Sequence, residues 1–429
     1  MELLRRYFAA IKLPTLIRER LGRHFGNRDF PAASMVLLLI ILIIGGGRRI
    51  RHLGFLDGDP VILRFCGLAR LPTDRTVNRW LAQFDEKRLN ALRSVNDRVS
   101  ENMLRASRLK SLTLDIDGTV VSTGLSVAGA KRGFNPHNRK RPSYYPISAY
   151  AAELGTIARL ENRPGNVHDG KASLPFFNNL LDQFRPHTDE GLELYMRMDA
   201  AFFRDDLLEL LAEEEVKFAV KVPFWEKLNL RGRIAANPRW RSINADIGYF
   251  ETTLEMVRWE QQFRVIIFRK RVHHESRKNY QLDLFDPNDG HWEYSAVASN
   301  IAVSGKDLWY FMCGRSAHEK AYGELKSGFA LACIPSLQQH ANSAWQQLSV
   351  LSFNLTRAFQ AATIAPKRPS NGKRTTIFKL SSIQTLRYEL FNRAGVVVNP
   401  FGKATLDVGS SPAVVSRFQS ISDKLQKAA

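Results

Sequence analysis

At residue 111 the apolar residues of this chain change their spacing from the period of a helix to that of a strand. In LTLDIDGTVV, Leu112, Leu114 and Ile116 fall on one face and Thr113, Asp115, Asp117 and Thr119 on the other. SYYPISAYAA and GTIARLEN read as the next strands of a meander, LPFFNNLLDQF as a helix, ELYMRMD as a strand, RDDLLELLAEEE as a helix and VKFAVKV as a strand. Three strands, helix, strand, helix, strand is the order of a mixed α/β sheet.

The flanks differ. Residues 1–110 are helical in pattern: an amphipathic basic helix near 3–24, an apolar helix at 35–44, a break at Gly45–Gly47 and a short helix around Pro60–Cys66. One long helix is then expected, with Thr73 or Asp74 as N-cap and an apolar rhythm through Val77, Leu81, Phe84, Leu89 and Leu92. Arg75, Asn78 and Arg79 at its start have the polarity of a recognition helix laid against DNA, or of a solvated helix end. Residues 223–302 read as a β-rich insertion in which Trp225, Trp240, Arg241, Arg269, Lys270, Arg271 and Lys278 interleave aromatic and basic groups. That mixture suits phosphate contact and base stacking, and equally an amphipathic sheet with an aromatic core face. Helical pattern returns at 314–333 and 336–363, followed by a basic linker at 366–374 and a C-terminal hairpin in AGVVVNPFGKATLDVG. The expected domains are therefore a helical DNA-binding region at 1–110, a catalytic core at 111–222 and 303–365 interrupted by the insertion at 223–302, and a linker with hairpin at 366–429.

Charge narrows the partners. Lys and Arg number 62 against 42 Asp and Glu, a formal net charge of +20. Such an excess favours a polyanion, nucleic acid before anionic membrane, because neutralised phosphates release counterions. The ten-residue apolar run MVLLLIILII falls short of the roughly 20 residues that span a bilayer, so a buried core helix and no membrane partner are expected. Cys66, Cys313 and Cys333 are too scattered for a zinc knuckle and too few for a disulfide framework, as in a reducing cytosol.

Three acids then carry the chemistry. Asp117 ends the first core strand, Asp199 ends ELYMRMD, and Glu319 lies in the helical stretch GRSAHEKAYGELKSGF. Phosphoryl transfer on a DNA backbone can use two magnesium ions about 4 Å apart, which carboxylates hold well. Arg315, Glu319 and Lys326 fall within about 40° of one another at 100° per residue, whereas Glu324 points to the other side. Taken alone, Arg315 and Glu319 are also what a solvated i,i+4 ion pair looks like.

The spacing Arg315, Glu319, Lys326 resembles the tyrosine–arginine–glutamate–lysine signature of insertion-sequence transposases with a DDE triad. GFNPHNRKRPSYYPI, ENRPGNVHDG, RMDAAFFRDDLLELL and SLQQHANSAWQQLSVLSFNL resemble one branch, the insertion-sequence family numbered thirteen-eighty, and the likeness runs from about Leu71 to Leu406. Met312 stands where the signature has tyrosine. The resemblance implies an RNase H-like core with a β-rich insertion before the glutamate helix, consistent with the 120 residues between Asp199 and Glu319. It implies Asp117, Asp199 and Glu319 as catalytic metal ligands; Asp115, on the same strand face as Asp117, is an accessory or alternative first ligand. It also implies Arg315 and Lys326 as phosphate contacts, and the basic run Arg139, Lys140, Arg141 joins the expected DNA contacts. His168, beside Asp169, is a loop histidine bonded to its neighbours or a group that approaches the site.

The activity expected is that of a bacterial, cytoplasmic, nucleoid-associated transposase. It would bind terminal inverted repeats, cleave DNA with two Mg²⁺ ions (Mn²⁺ substituting), and join the ends to target DNA as a homodimer in a synaptic complex. The alternatives are an RNase H-like nuclease without strand transfer and an inactive DNA-binding remnant.

Overall fold

The computed structural model of the 429-residue chain describes all residues except 27–28, 125, 134, 136–137, 139, 168, 171, 256–261, 273–291, 370–374, 400–401, 403–404, 409–410 and 429. It divides into two compact units: Met1–Arg108 with Thr119–Asn166 and Glu319–Ala429, and Leu109–Gly118 with Val167–His318.

The first unit begins with helices α1 (Glu2–Ala10), α2 (Leu13–Leu21), α3 (Ala32–Gly45), α4 (Pro60–Cys66), α5 (Asp74–Leu81) and α6 (Glu86–Ser107). The single helix expected near 3–24 is two, because Lys12 turns left-handed at φ 54° and Pro14 opens a new first turn. The long helix expected from Thr73 is also two. Thr73 caps α5 by accepting from the Thr76 amide, and Asp85 then caps α6 by accepting from the Arg88 amide at 2.8 Å. Every residue of α3 from Ser34 to Ile44 is buried, which accounts for its unbroken apolar run. Among the described residues no single helix is long and apolar enough to cross a membrane; α3 and the turn Ile50–Leu56 pass that test only as a pair bent by 85°.

The chain next forms β1 (Ser111–Gly118), β2 (Val121–Ser122), β3 (Ser143–Tyr144), β4 (Ile147–Ala151), β5 (Thr156–Glu161), α7 (Leu174–Asp189), β6 (Glu193–Met198), α8 (Asp205–Glu213) and β7 (Lys217–Lys221). After β7 come α9 (Leu230–Ala236), β8 (Arg241–Asn244), β9 (Ile247–Glu255), β10 (Gln262–Arg271), β11 (Trp292–Ser299) and α10 (Gly305–Cys313). The chain closes with α11 (Ser316–Gly328), α12 (Gln339–Thr363), α13 (Ile383–Leu386), β12 (Val396–Val398), β13 (Thr405–Asp407) and α14 (Pro412–Ala428). This is the expected mixed α/β architecture: a strand, a hairpin, then helices alternating with strands, preceded by helices and interrupted by a β-rich segment.

In the second unit β1 runs parallel to β6 and β6 parallel to β7. The insertion does not make a separate sheet. β11 pairs antiparallel with β7, and β10, β9 and β8 follow it, so the inserted strands extend the core sheet. Ile266, Phe268, Val297, Tyr249 and Leu308 form the apolar layer that joins these strands to α10. The start of the insertion, expected as strand, is helical in α9.

In the first unit β4 and β5 form an antiparallel hairpin, and α12 packs on β5 through amide side chains as well as apolar ones. Asn354 accepts from the Ile157 amide at 2.9 Å and donates to the Ile157 carbonyl and to Asn96 Oδ1, both at 2.7 Å. Gln347 donates to the Leu160 carbonyl at 2.7 Å. Backbone groups of β5 that no strand partner reaches are thereby satisfied from a helix. The C-terminal hairpin expected from the sequence is present as β12 and β13, whereas α14 had no counterpart in the sequence reading.

Candidate active site

The last rung of the β1–β6 ladder pairs Asp115 with Arg197. Two residues further along each strand stand Asp117 and Asp199. Parallel pairing therefore brings the two aspartates to the same end of neighbouring strands, the carboxyl end, where open α/β sheets place ligands.

Asp115, the alternative first ligand, is already committed elsewhere. It is fully buried, and its oxygens accept from Arg197 Nε at 2.5 Å and Nη2 at 2.9 Å. Burial is the largest influence on its carboxyl and pushes its proton affinity up, opposed by the Arg197 guanidinium. Arg197 Nη1 also donates to the Phe311 carbonyl at 2.6 Å, tying β1 and β6 to the end of α10. Asp115 is therefore a fixed structural anchor for Arg197, and both of its oxygens are used. The alternation rule was right about the shared face and silent about depth.

Arg315 follows in the turn after α10. Its Nη2 lies 3.9 Å from Asp117 Oδ2 and its Nη1 3.6 Å from Asp199 Oδ1. Asp117 is 29% exposed and also accepts from the Gly118 amide at 2.8 Å. Burial pushes its carboxyl up to about 7; Arg315 works against that, and the negative charge of Asp199 and Asp169 adds to it. Asp199 is 47% exposed and has a second cation, Lys221, at 3.8 Å. His318, fully enclosed beside Arg315 and Arg197, is held neutral with its pKa lowered to about 3, mainly by burial.

Gly314 is part of this construction. A methyl group at 314 would come within 2.0 Å of Arg197 Nη1, so only glycine lets that guanidinium reach the turn. Met312, in the place of the signature tyrosine, is half-buried against the apolar layer of the insertion.

The other expected site residues fall as follows. Glu319 lies exposed in the first turn of α11, in the first unit. Lys326 is half-buried in the last turn of α11, and its carbonyl accepts from Arg48 at 3.5 Å. Glu324 is bound structurally, accepting from Arg357 and from the Ile383 amide. Arg75, Asn78 and Arg79 are exposed together on α5, although the Asn78 amide donates to the Asp74 carbonyl of its own helix. Lys140 and Arg141 are exposed, while Arg139 and His168 lie outside the described residues. In the insertion, Arg269 is sandwiched between Trp240 and Trp292 at 4.5 and 4.3 Å, and Phe250 meets Trp240 edge-on, so these indoles stack on a guanidinium. Lys278 lies outside the described residues.

Arg197, Lys221 and Gly314 were not singled out from the sequence. A signal for the first was available: Asp115 and Arg197 each precede a site aspartate by two residues, which makes them partners once the strands are parallel neighbours.

Two carboxylates that share one guanidinium, one of them pushed up by burial and by neighbouring acids, have the hard-oxygen chemistry that a divalent cation satisfies. Among the described residues no group of three or more His, Cys, Asp or Glu is gathered to hold a metal ion, so the donor set brought together is the Asp117–Asp199 pair.

A piggyBac transposase, solved by cryo-electron microscopy as a synaptic complex with hairpin DNA, is similar over 99% of this chain and 84% of its own, at 10% identity and a TM-score of 0.47. No curated protein matches the sequence. Residues 4–429 match the family described as Transposase DDE domain group 1. With that match spanning nearly its whole length, the chain belongs to the group 1 family of DDE transposases.

Proposed function

We propose that this DDE transposase is encoded by a bacterial insertion sequence of the family numbered thirteen-eighty. It binds the terminal inverted repeats of its element, cleaves the DNA to expose 3′ hydroxyls and joins them to target DNA. The observation that carries this reading is the convergence of Asp117 and Asp199 on Arg315 at the ends of two parallel strands.

Asp117 and Asp199 offer carboxylate oxygens from neighbouring strand ends, and Glu319 is assigned as the third donor. Divalent cations held there would supply Lewis acidity to the phosphate and to the attacking and leaving oxygens. Arg315 and Lys326 provide positive charge for the DNA backbone, Arg315 from the turn that Arg197 and Gly314 fix. The Asp115–Arg197 pair keeps the two strand ends in register. Exposed Arg75, Arg79, Lys140 and Arg141 and the net charge of +20 suit a long polyanionic partner. Two DNA ends held together call for two copies of the chain.

The test uses purified protein, Mg²⁺, pre-cut element ends and a supercoiled plasmid. Joined products are expected from the unmodified chain and none from Asp117→Ala, Asp199→Ala or Glu319→Ala. Cleavage without joining would identify a nuclease, and cellular effects indifferent to all three substitutions would identify a DNA-binding remnant.

A further inference from the structure

Two arginines meet aspartates on the same pair of strands, and they do so in different ways. Arg197 grips Asp115 as a closed fork at 2.5 and 2.9 Å, with side chains 1% and 0% exposed. Arg315, two residues along, spans Asp117 and Asp199 at 3.9 and 3.6 Å, beside aspartates 29% and 47% exposed. The first is hydrogen-bonded and sealed; the second is a loose electrostatic bridge beyond good hydrogen-bond length, open to water.

Charge accounting gives the loose bridge a purpose. With both carboxylates ionised, as cation binding requires, Asp117 and Asp199 contribute two negative charges, and Arg315 with Lys221 contributes two positive ones at 3.6 to 3.9 Å. These four groups then balance. A divalent cation entering beside both side-chain cations would leave the cluster with a surplus of two positive charges, which nearby charges oppose. Entry is favoured only if a positive group departs, and Arg315 is the one that contacts both carboxylates.

We infer that Arg315 is an internal counter-cation for the Asp117–Asp199 pair, competing with the divalent ion for the same two carboxylates until a phosphate draws its guanidinium away. The inference rests on the reading of these aspartates as cation ligands and adds to it an order of events. Phosphate contact by Arg315 and cation binding by the aspartates become mutually reinforcing, so each tightens the other by the same factor. A chain without DNA is thereby kept from loading its cation fully.

The experiment titrates the full chain with Mn²⁺ alone, by isothermal calorimetry at fixed ionic strength. Arg315→Gln should bind Mn²⁺ about tenfold more tightly than the unmodified chain, the size of a typical coupling between sites. Arg315→Met, a second neutral side chain, should do the same, so the result does not hang on the folding of one variant. Arg315→Lys, which keeps the charge, should stay within about threefold of the unmodified chain. Equal or weaker Mn²⁺ binding in the two neutral variants overturns the inference, as does tightening of the same size in the lysine variant. Asp117→Asn separates this failure from that of the underlying reading. If it loses Mn²⁺ binding while the neutral variants show no tightening, only the counter-cation role falls. If it binds Mn²⁺ like the unmodified chain, the aspartate site and the inference fall together.

Discussion

Removing the Asp115 carboxylate should be among the most destabilising single changes in the second unit. Asp115→Ala leaves the Arg197 guanidinium, 1% exposed, with the Phe311 carbonyl as its hydrogen-bond acceptor. Two charge-assisted hydrogen bonds, at 2.5 and 2.9 Å, are lost, and a buried positive charge loses its compensation. Breaking a buried pair from one side costs about 3–5 kcal/mol. Because β1 and β6 carry the two halves of the pair, the cost should appear as opening of that ladder. Each 1.4 kcal/mol is tenfold, so native-state hydrogen exchange at the Leu112–Ile116 amides should accelerate by about a thousandfold. The double change Asp115→Leu with Arg197→Met removes both charges and should recover most of the loss, since an apolar replacement of a buried pair is often neutral. Acceleration below about tenfold in Asp115→Ala, or a double variant worse than the single one, would show that the buried pair does not hold this ladder closed.

Three further outcomes follow from particular contacts. In metal-free protein, Asp117 is pushed up to about 7, above the usual carboxylate value of 3.8, so the folded state holds a proton that the unfolded chain releases. Its stabilising contribution is full below about pH 4 and is lost as pH rises through about 7. Melting temperatures in chelator should therefore fall from pH 5 to pH 8, and both Asp117→Asn and added Mg²⁺ should flatten that fall. Asn354→Leu strands the Ile157 amide and the Asn96 amide oxygen and leaves the Ile157 carbonyl only a long bond from Asn96 at 3.5 Å, and should cost about 2–4 kcal/mol in urea unfolding. Gly314→Ala forces Arg197 off its position, since the new methyl carbon would lie 2.0 Å from Nη1; a loss of about 1–3 kcal/mol is expected by thermal melting, as for overpacking generally.

The sequence made the order of core elements legible because each strand and helix carries its own apolar period. It made the site aspartates legible because both end such strands. Depth was not legible: Asp115 and Asp117 share a face by alternation, yet one is sealed against Arg197 and the other half-reaches solvent. Pairing between distant segments was not legible either, which is why Arg197 and Lys221 were missed and why the sequence does not tell that the β-rich insertion continues the sheet through β7 and β11. Local breaks at Lys12 and Asp85 escaped because a steady apolar rhythm runs across both. Glu319 is preferred over Glu324 on helical phase and on the signature spacing; the partners of Glu324, Arg357 and the Ile383 amide, lie too far along the chain for either to reveal.

On the proposed function, Asp199 holds a divalent cation during DNA cleavage. Asp199→Cys replaces a hard oxygen by a soft sulfur that Mg²⁺ binds poorly and Mn²⁺ accepts. Cleavage of element-end DNA by this variant should be lost in Mg²⁺ and regained in part in Mn²⁺, whereas the unmodified chain cleaves in both. Cleavage by Asp199→Cys in Mg²⁺ at the unmodified rate would contradict the claim.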